Sequence, residues 1–259
     1  MIYAGCDLGT ISAKAVIIEN GTILASEILP YKNLPKQAAI DVMEKAINKA
    51  GVTKGRIAYC LATGFGKKAV SYADNDIPEL ICLSRALNKL DRDIRTAIDA
   101  GGHNIKAFNI NTAGKVTSST ANEKCASGTG KFMEVMANAL EMPLDELSIA
   151  ALKSNHPLPI TSQCGVFAES EVITHMNEGK DRFDIFAGIS LSVASKVAAV
   201  VRRIGVDQPV AIVGGLAKNR IVIRDIETEL GLSFVEYNMD PQSVAAYGAA
   251  LMAEQRNSQ

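Results

Sequence analysis

The feature that most constrains this chain is that its opening pattern occurs twice. Asp7 is followed by Gly9, Lys14 and Ala15, and Asp99 by Gly101, Lys106 and Ala107, so the same residue types recur at offsets of two, seven and eight. A turn dipeptide follows each segment at a similar distance, Asn20-Gly21 in one and Ala113-Gly114 in the other. Matches at several offsets, in two stretches of the same strand–turn–strand character, point to an internal duplication. Two copies of a β-meander, each followed by helices and further strands, describe an α/β protein of two related lobes. The expected boundaries are 1–95 and 96–259, with the last helix packing back toward the first lobe.

The elements between the repeats follow from periodicity. Ala39, Val42, Met43, Ala46 and Ile47 share one face of a helix expected over Pro35–Ala50. A strand over Arg56–Leu61 leads into the loop Thr63-Gly64-Phe65-Gly66, and Glu79–Arg95 reads as mostly helical. In the second half, helices are expected from near Ser127, over Pro143–Lys153, after Cys164, and over Asp184–Ile204. A strand at Val210–Val213 runs into Gly214-Gly215-Leu216-Ala217-Lys218-Asn219 and another helix. Asp240-Pro241 is the expected opening of the last helix.

Asp7-Leu8-Gly9-Thr10 and Asp99-Ala100-Gly101-Gly102 are strand-to-strand turns that carry one carboxylate among small residues. Such turns bring backbone N–H groups close to phosphate oxygens, and the carboxylate can hold magnesium directly or through water. Either turn alone is no more than an ordinary hairpin connection; as a duplicated pair they form a candidate clamp on phosphates. The apolar strand entering Gly214-Gly215-Leu216-Ala217 is a third candidate, where glycine permits close approach of an adenosine.

Two cysteines stand just before expected helices, Cys125 in Cys125-Ala-Ser-Gly-Thr-Gly130 and Cys164 in Cys164-Gly-Val-Phe-Ala-Glu-Ser-Glu171. Unpaired N–H groups and the helix dipole favour a thiolate there, the form that ligates iron. Two such thiols are half of a four-thiolate iron–sulfur site, so a dimer is expected to supply the rest. Cys6, Cys60 and Cys82 read as small buried hydrophobes. A zinc site using His103, His156 or His175 lacks any short ligand spacing. With 27 Lys and Arg against 28 Asp and Glu, and no basic run, nothing suggests a nucleic-acid surface. Apolar runs fall short of a membrane span and the N-terminus lacks a leader pattern, so the expectation is a cytoplasmic protein without a membrane partner.

Taken together, the two phosphate turns, the adenosine turn and Val244-Ala-Ala-Tyr-Gly248-Ala-Ala resemble the superfamily of actin, sugar kinases and the Hsp70 ATPase domain. The resemblance implies two duplicated ribonuclease-H-like lobes with an interlobe cleft for ATP or ADP and Mg2+. Asp7, Asp99 and His103 would be its catalytic residues. Nucleotide contacts would come from Gly9, Thr10, Lys14, Gly101, Gly102, Asn104, Gly128, Thr129, Gly130, Gly214, Gly215, Ala217 and Asn219, with Asp7 and Asp99 toward the metal. Within that superfamily the two cysteine segments are similar to the ATP-dependent activators of 2-hydroxyacyl-CoA dehydratases and the related ATPase subunits of benzoyl-CoA reductase, over essentially the whole chain. That similarity implies a homodimer, or a heterodimer with a related subunit, bridging one [4Fe-4S] cluster through Cys125 and Cys164. It also implies low-potential electron transfer from a donor such as ferredoxin or flavodoxin to an iron–sulfur acceptor enzyme.

One departure stands out. The family's second phosphate turn usually reads Asp-x-Gly-Gly-Gln-Asp, and here His103 and Asn104 replace the last two. Binding by the glycines should survive, whereas hydrolysis is expected to be slow or differently gated. Ser127 and Lys131 are milder departures. The alternatives are a small-molecule kinase of the same fold without a cluster, disfavoured by the short chain and the lack of a kinase-like base, and a non-catalytic nucleotide-dependent interaction module.

Overall fold

The computed structural model describes residues 1–122, 129–161 and 164–257. The chain forms two compact units: Met1–Arg95 with Ile110–Thr117 and Glu236–Gln259, and Thr96–Asn109 with Ser118–Val235. The first is built on a five-stranded mixed sheet of β1 (Ile2–Leu8), β2 (Ser12–Glu19), β3 (Thr22–Pro30), β4 (Ile57–Thr63) and β5 (Asn75–Asp76), in the order β3-β2-β1-β4-β5. The expected meander is present, β1 pairing β2 and β2 pairing β3, both antiparallel. Asn20 and Gly21 both adopt positive φ, 51° and 72°, the backbone that lets a two-residue hairpin match the strand twist. β4 runs parallel to β1. Every residue of β1 is buried, as befits a central strand covered on both faces.

Helix α1 (Pro35–Ala50) starts with proline in its first turn and stops at Gly51 in the left-handed conformation. It buries Ala38, Ala39, Val42, Met43 and Ala46. Helix α2 (Glu79–Leu90) is shorter than the sequence suggests. Asp91 turns extended and its carboxylate accepts the Asp93 N–H at 2.8 Å, a local bond that competes with helix continuation. Helix α8 (Val244–Asn257) packs on β1 and α2. Gly248 permits this, because a Cβ there would lie 1.8 Å from the Cys82 carbonyl oxygen. The helix begins at Val244 rather than at Pro241, since Asp240 first closes a turn, its backbone oxygen accepting Ser243 N–H and its carboxylate Gln242 N–H.

The second unit carries β6 (Thr96–Ala100), β7 (Ile105–Ile110), β8 (Val116–Ala121) and β9 (Val210–Val213), in the order β8-β7-β6-β9. β6 and β7 are antiparallel, and β9 is parallel to β6. This repeats the β3-β2-β1-β4 arrangement of the first sheet, so the duplication extends from residue offsets to topology. The unit's helices are α3 (Gly130–Ala139), α4 (Leu144–Ala150), α5 (Gly165–Asn177), α6 (Arg182–Arg202) and α7 (Arg220–Leu230). The segment expected as one helix to Lys153 ends in a separate 3-10 turn, Ala151–Lys153.

Helix α6 opens two residues before the expected Asp184, because the Asp181 carboxylate caps the N–H groups of Phe183 and Asp184 at 2.8 and 3.1 Å. By length and composition α6 could cross a membrane. Its Ile185, Phe186, Ile189, Val193 and Val197 are instead buried in the core of this unit. Each such side chain contributes about 1.5–3 kcal/mol of transfer free energy, which accounts for an apolar helix at the centre of a folded unit.

Candidate functional site

The two Asp-x-Gly turns share their hydrogen bonds as well as their residues. Asp7 stands one residue before the end of β1, opposite Lys14, and Lys14 Nζ lies 3.0 Å from Asp7 Oδ2. Asp99 sits in β6 opposite Lys106, with Nζ 3.4 Å from Asp99 Oδ2. In the first turn the Gly9 N–H donates to the Ser12 carbonyl at 3.1 Å; in the second, Gly101 N–H donates to the Asn104 carbonyl at 2.9 Å. Both bonds link equivalent positions. Asp7 is only 3% exposed, and its Oδ1 is buried without a hydrogen-bond partner. A buried carboxylate oxygen left unsatisfied is costly. This orphan oxygen is the observation that fits a magnesium ion or its hydration water at this turn.

The strand parallel to each Asp-bearing strand ends in a glycine of positive φ, and this match extends the repeat once more. Gly64 follows Thr63, the partner of Asp7, with φ 87°; Gly214 follows Val213, the partner of Asp99, with φ 92°. A Cβ on Gly64 would fall 2.2 Å from Asp7 Oδ1, and one on Gly214 would fall 2.5 Å from the Ala100 carbonyl oxygen and 3.1 Å from Asp99 Oδ1. The loop after Gly64 is tied back by Gly66 N–H donating to the Leu8 carbonyl at 2.8 Å, and it leaves Phe65 83% exposed.

The further expected site residues differ in exposure. Gly101 and Gly102 are half-buried, and His103 and Asn104 are exposed at the tip of the β6–β7 turn. Thr10 is exposed, and Gly9 lies under Lys14 Nζ. Gly130 opens α3 and donates its N–H to the Gly101 carbonyl at 3.1 Å, while Lys131 N–H donates to the Gly102 carbonyl at 2.9 Å. Thr129 is the buried N-cap of α3. Gly215 and Ala217 lie in a 3-10 turn, Gly215–Lys218, and α7 begins only at Arg220. Asn219 is the cap of α7: its Oδ1 accepts Val222 N–H at 3.3 Å and its Nδ2 donates to Ser148 Oγ at 2.7 Å.

Cys164 is exposed and is the N-cap of α5. Within α5, Glu171 binds Thr161: its carboxylate accepts the Thr161 N–H at 3.0 and 3.1 Å and the Thr161 hydroxyl at 3.0 Å. Val166 and Phe167, in the first turn of α5, are 69% and 68% exposed. Cys125 and Gly128 lie outside the described residues. Among the described residues no group of three or more His, Cys, Asp and Glu converges; the exposed thiol of Cys164 has the donor chemistry to supply one thiolate ligand. Cys6, Cys60 and Cys82 are buried. Burial pushes the Cys6 and Cys82 thiols up to about 12 and raises Cys60 well above its ordinary value, so these three are poor thiolates.

Residues 4–253 match the model of the BadF/BadG/BcrA/BcrD ATPase family. The chain is 38% identical over 254 residues to the 2-hydroxyisocaproyl-CoA dehydratase activator of Clostridioides difficile, covering 98% of this chain and 95% of the relative. A solved structure of such an activator from that organism, with bound ADPNP, superimposes with a TM-score of 0.94 over 100% of this chain and 97% of its own. Component A of (R)-2-hydroxyglutaryl-CoA dehydratase from Acidaminococcus fermentans, 33% identical, superimposes with a TM-score of 0.95 over 100% of both chains. At 13% identity and a TM-score of 0.52, a ROK hexokinase from Thermus thermophilus, covering 100% of this chain and 99% of its own, shares the ribonuclease-H-like fold.

Proposed function

This chain belongs to the BadF/BadG/BcrA/BcrD ATPase family, and on that premise we propose that it is an ATP-dependent activator driving single electrons to a partner iron–sulfur enzyme of the 2-hydroxyacyl-CoA dehydratase or aryl-CoA reductase type. Each at its own turn, Asp7 and Asp99 would face magnesium, directly or through water, and the backbone N–H groups of Thr10 and Gly102 would take phosphate oxygens of ATP. The turn at Gly214-Gly215 takes the adenosine. The bound ATP analogue in the Clostridium difficile activator structure supports the nucleotide part of this reading.

The observation that carries the electron-transfer part is the exposed Cys164 thiol at the N-terminus of α5, flanked by the exposed Val166 and Phe167. We assign Cys125 and Cys164 from each of two chains as ligands of one [4Fe-4S] cluster, with Val166 and Phe167 meeting the second chain. When bound, such a cluster supplies a one-electron couple tuned by hydrogen bonds at sulfur and by exposure. The first-turn N–H groups of α5 have no acceptor within the helix and offset thiolate charge. A ferredoxin or flavodoxin is the proposed donor.

Anaerobic purification tests the proposal. A brown dimer with four irons and four sulfides per two chains is expected, with colour lost in Cys125→Ser and Cys164→Ser, and ATP-dependent reduction of an acceptor dehydratase. A colourless monomer that phosphorylates a sugar would overturn it.

A further inference from the structure

The carbonyl at the third position of each Asp-x-Gly turn is pinned by a donor from outside the turn. In the second turn that donor is a backbone group, Gly130 N–H on the Gly101 carbonyl at 3.1 Å. In the first turn it is a side chain: the Tyr31 hydroxyl donates a hydrogen bond to the carbonyl of Gly9, the residue equivalent to Gly101. Tyr31 stands just past the end of β3, and its own N–H donates to the Ile11 carbonyl at 2.9 Å. One residue thus grips the turn at two points. With the Gly9 N–H engaged on Ser12, the path of the chain from Asp7 to Ser12 is defined from both sides.

A trans peptide is planar, with its C=O and N–H pointing in opposite directions. Fixing the Gly9 carbonyl on Tyr31 therefore also fixes the direction of the Thr10 N–H. We propose that Tyr31 is the positioning residue of the first phosphate turn, using its hydroxyl to aim the Thr10 N–H as Gly130 does for the corresponding peptide of the second turn. This deepens the nucleotide reading above and rests on it. Burial raises the Tyr31 hydroxyl above its ordinary value, with Lys14 opposing and Asp7 adding to the shift, so the proton needed for donation is retained at neutral pH.

The test compares Tyr31→Phe with Tyr247→Phe in the full-length protein. Tyr247 also donates its hydroxyl to a backbone carbonyl of the first unit, Gly21 at 3.1 Å, and serves as the control for loss of any one tyrosine hydrogen bond. Affinity for magnesium–ADPNP is measured by titration calorimetry, and amide exchange over residues 8–12 by mass spectrometry. Tyr31→Phe is expected to weaken binding about threefold to tenfold and to speed exchange in the nucleotide-free turn, while Tyr247→Phe binds as wild type. Equal loss in both variants assigns the effect to general loosening and overturns the proposal. Unchanged affinity in a folded Tyr31→Phe overturns it as well. If wild type itself binds no adenine nucleotide, the failure lies with the nucleotide reading, and the exchange measurement still reports whether Tyr31 orders the turn. Should Tyr31→Phe not fold, exchange in the wild type decides: amides of residues 8–12 that exchange as fast as those of the loop at the exposed Phe65 overturn the proposal.

Discussion

Lys14 Nζ lies 3.0 Å from Asp7 Oδ2 across one rung of the β1–β2 ladder, and both side chains are largely withdrawn from water. Removing one partner of such a pair strands the other charge in a site it cannot leave. Lys14→Met is therefore expected to lower stability by about 3 kcal/mol. The double variant Asp7→Asn with Lys14→Met should be less destabilised than the sum of the two single changes, because no unpaired charge remains. Urea unfolding of the four proteins measures this coupling; strict additivity would show that the pair does not interact.

Gly64 and Gly179 both hold positive φ, 87° and 72°, yet only Gly64 has neighbours that an added methyl would strike. Gly179→Ala meets nothing within 4 Å and should cost about 1 kcal/mol for the backbone alone. Gly64→Ala adds a methyl 2.2 Å from Asp7 Oδ1 and 2.7 Å from the Leu8 carbonyl oxygen, so about 2–4 kcal/mol is expected. Affinity for magnesium nucleotide should fall with it, since Asp7 must shift. A Gly64→Ala protein as stable as Gly179→Ala would contradict the contact.

Thiol accessibility separates the cysteines of the cluster-free protein. Cys164 is exposed, whereas Cys6, Cys60 and Cys82 are buried with raised values. An aromatic disulfide reagent at pH 8 is expected to modify Cys164 within seconds and these three only on unfolding. The same burial predicts alkaline sensitivity. Cys6 and Cys82 rise from 9.0 to about 12 on folding, so the unfolded chain loses its thiol protons first. Their contribution to stability is complete below about pH 9 and is lost as pH climbs toward 12. Denaturation midpoints at pH 8, 9.5 and 11 check the sign, and Cys82→Ala should flatten the slope.

The repeated Asp, Gly, Lys and Ala were legible because side-chain identity at fixed offsets survives duplication, and they led to two sheets of one topology. The Gly64–Gly214 equivalence was not, because the chain between each turn and its parallel strand differs in length, and only pairing brings them into register. Tyr31 escaped notice because its role is a hydroxyl on a backbone carbonyl, which leaves no pattern in residue types. Glu171 stood in a quoted motif without a role, since its partner Thr161 lies ten residues back and faces it only once α5 is formed. Helix ends were misplaced at Asp91 and Asp240 for one reason. An aspartate side chain bonded to a nearby N–H, and this local turn outcompeted the helix.

His103 and Asn104 occupy the exposed tip of the β6–β7 turn, where the resemblance drawn from the sequence leads to an expectation of Gln and Asp. The turn's own bond uses the Asn104 backbone, Gly101 N–H donating to its carbonyl. Side-chain replacement therefore leaves the turn intact. Changing His103→Gln with Asn104→Asp should move stability by no more than about 0.5 kcal/mol, as for other exposed positions. Any change in turnover can then be read as chemistry. A glutamine can orient an attacking water without titrating, and a carboxylate at position 104 would offer a further oxygen ligand to a magnesium ion bound at this turn. The double variant is expected to hydrolyse ATP at least about tenfold faster, a modest part of the roughly 100-fold or more that a positioned catalytic group contributes, with nucleotide affinity little changed. Steady-state phosphate release at saturating magnesium–ATP measures it. Equal rates in the two proteins would mean that these two positions do not set hydrolysis, and the slow step would then have to be sought outside the β6–β7 turn.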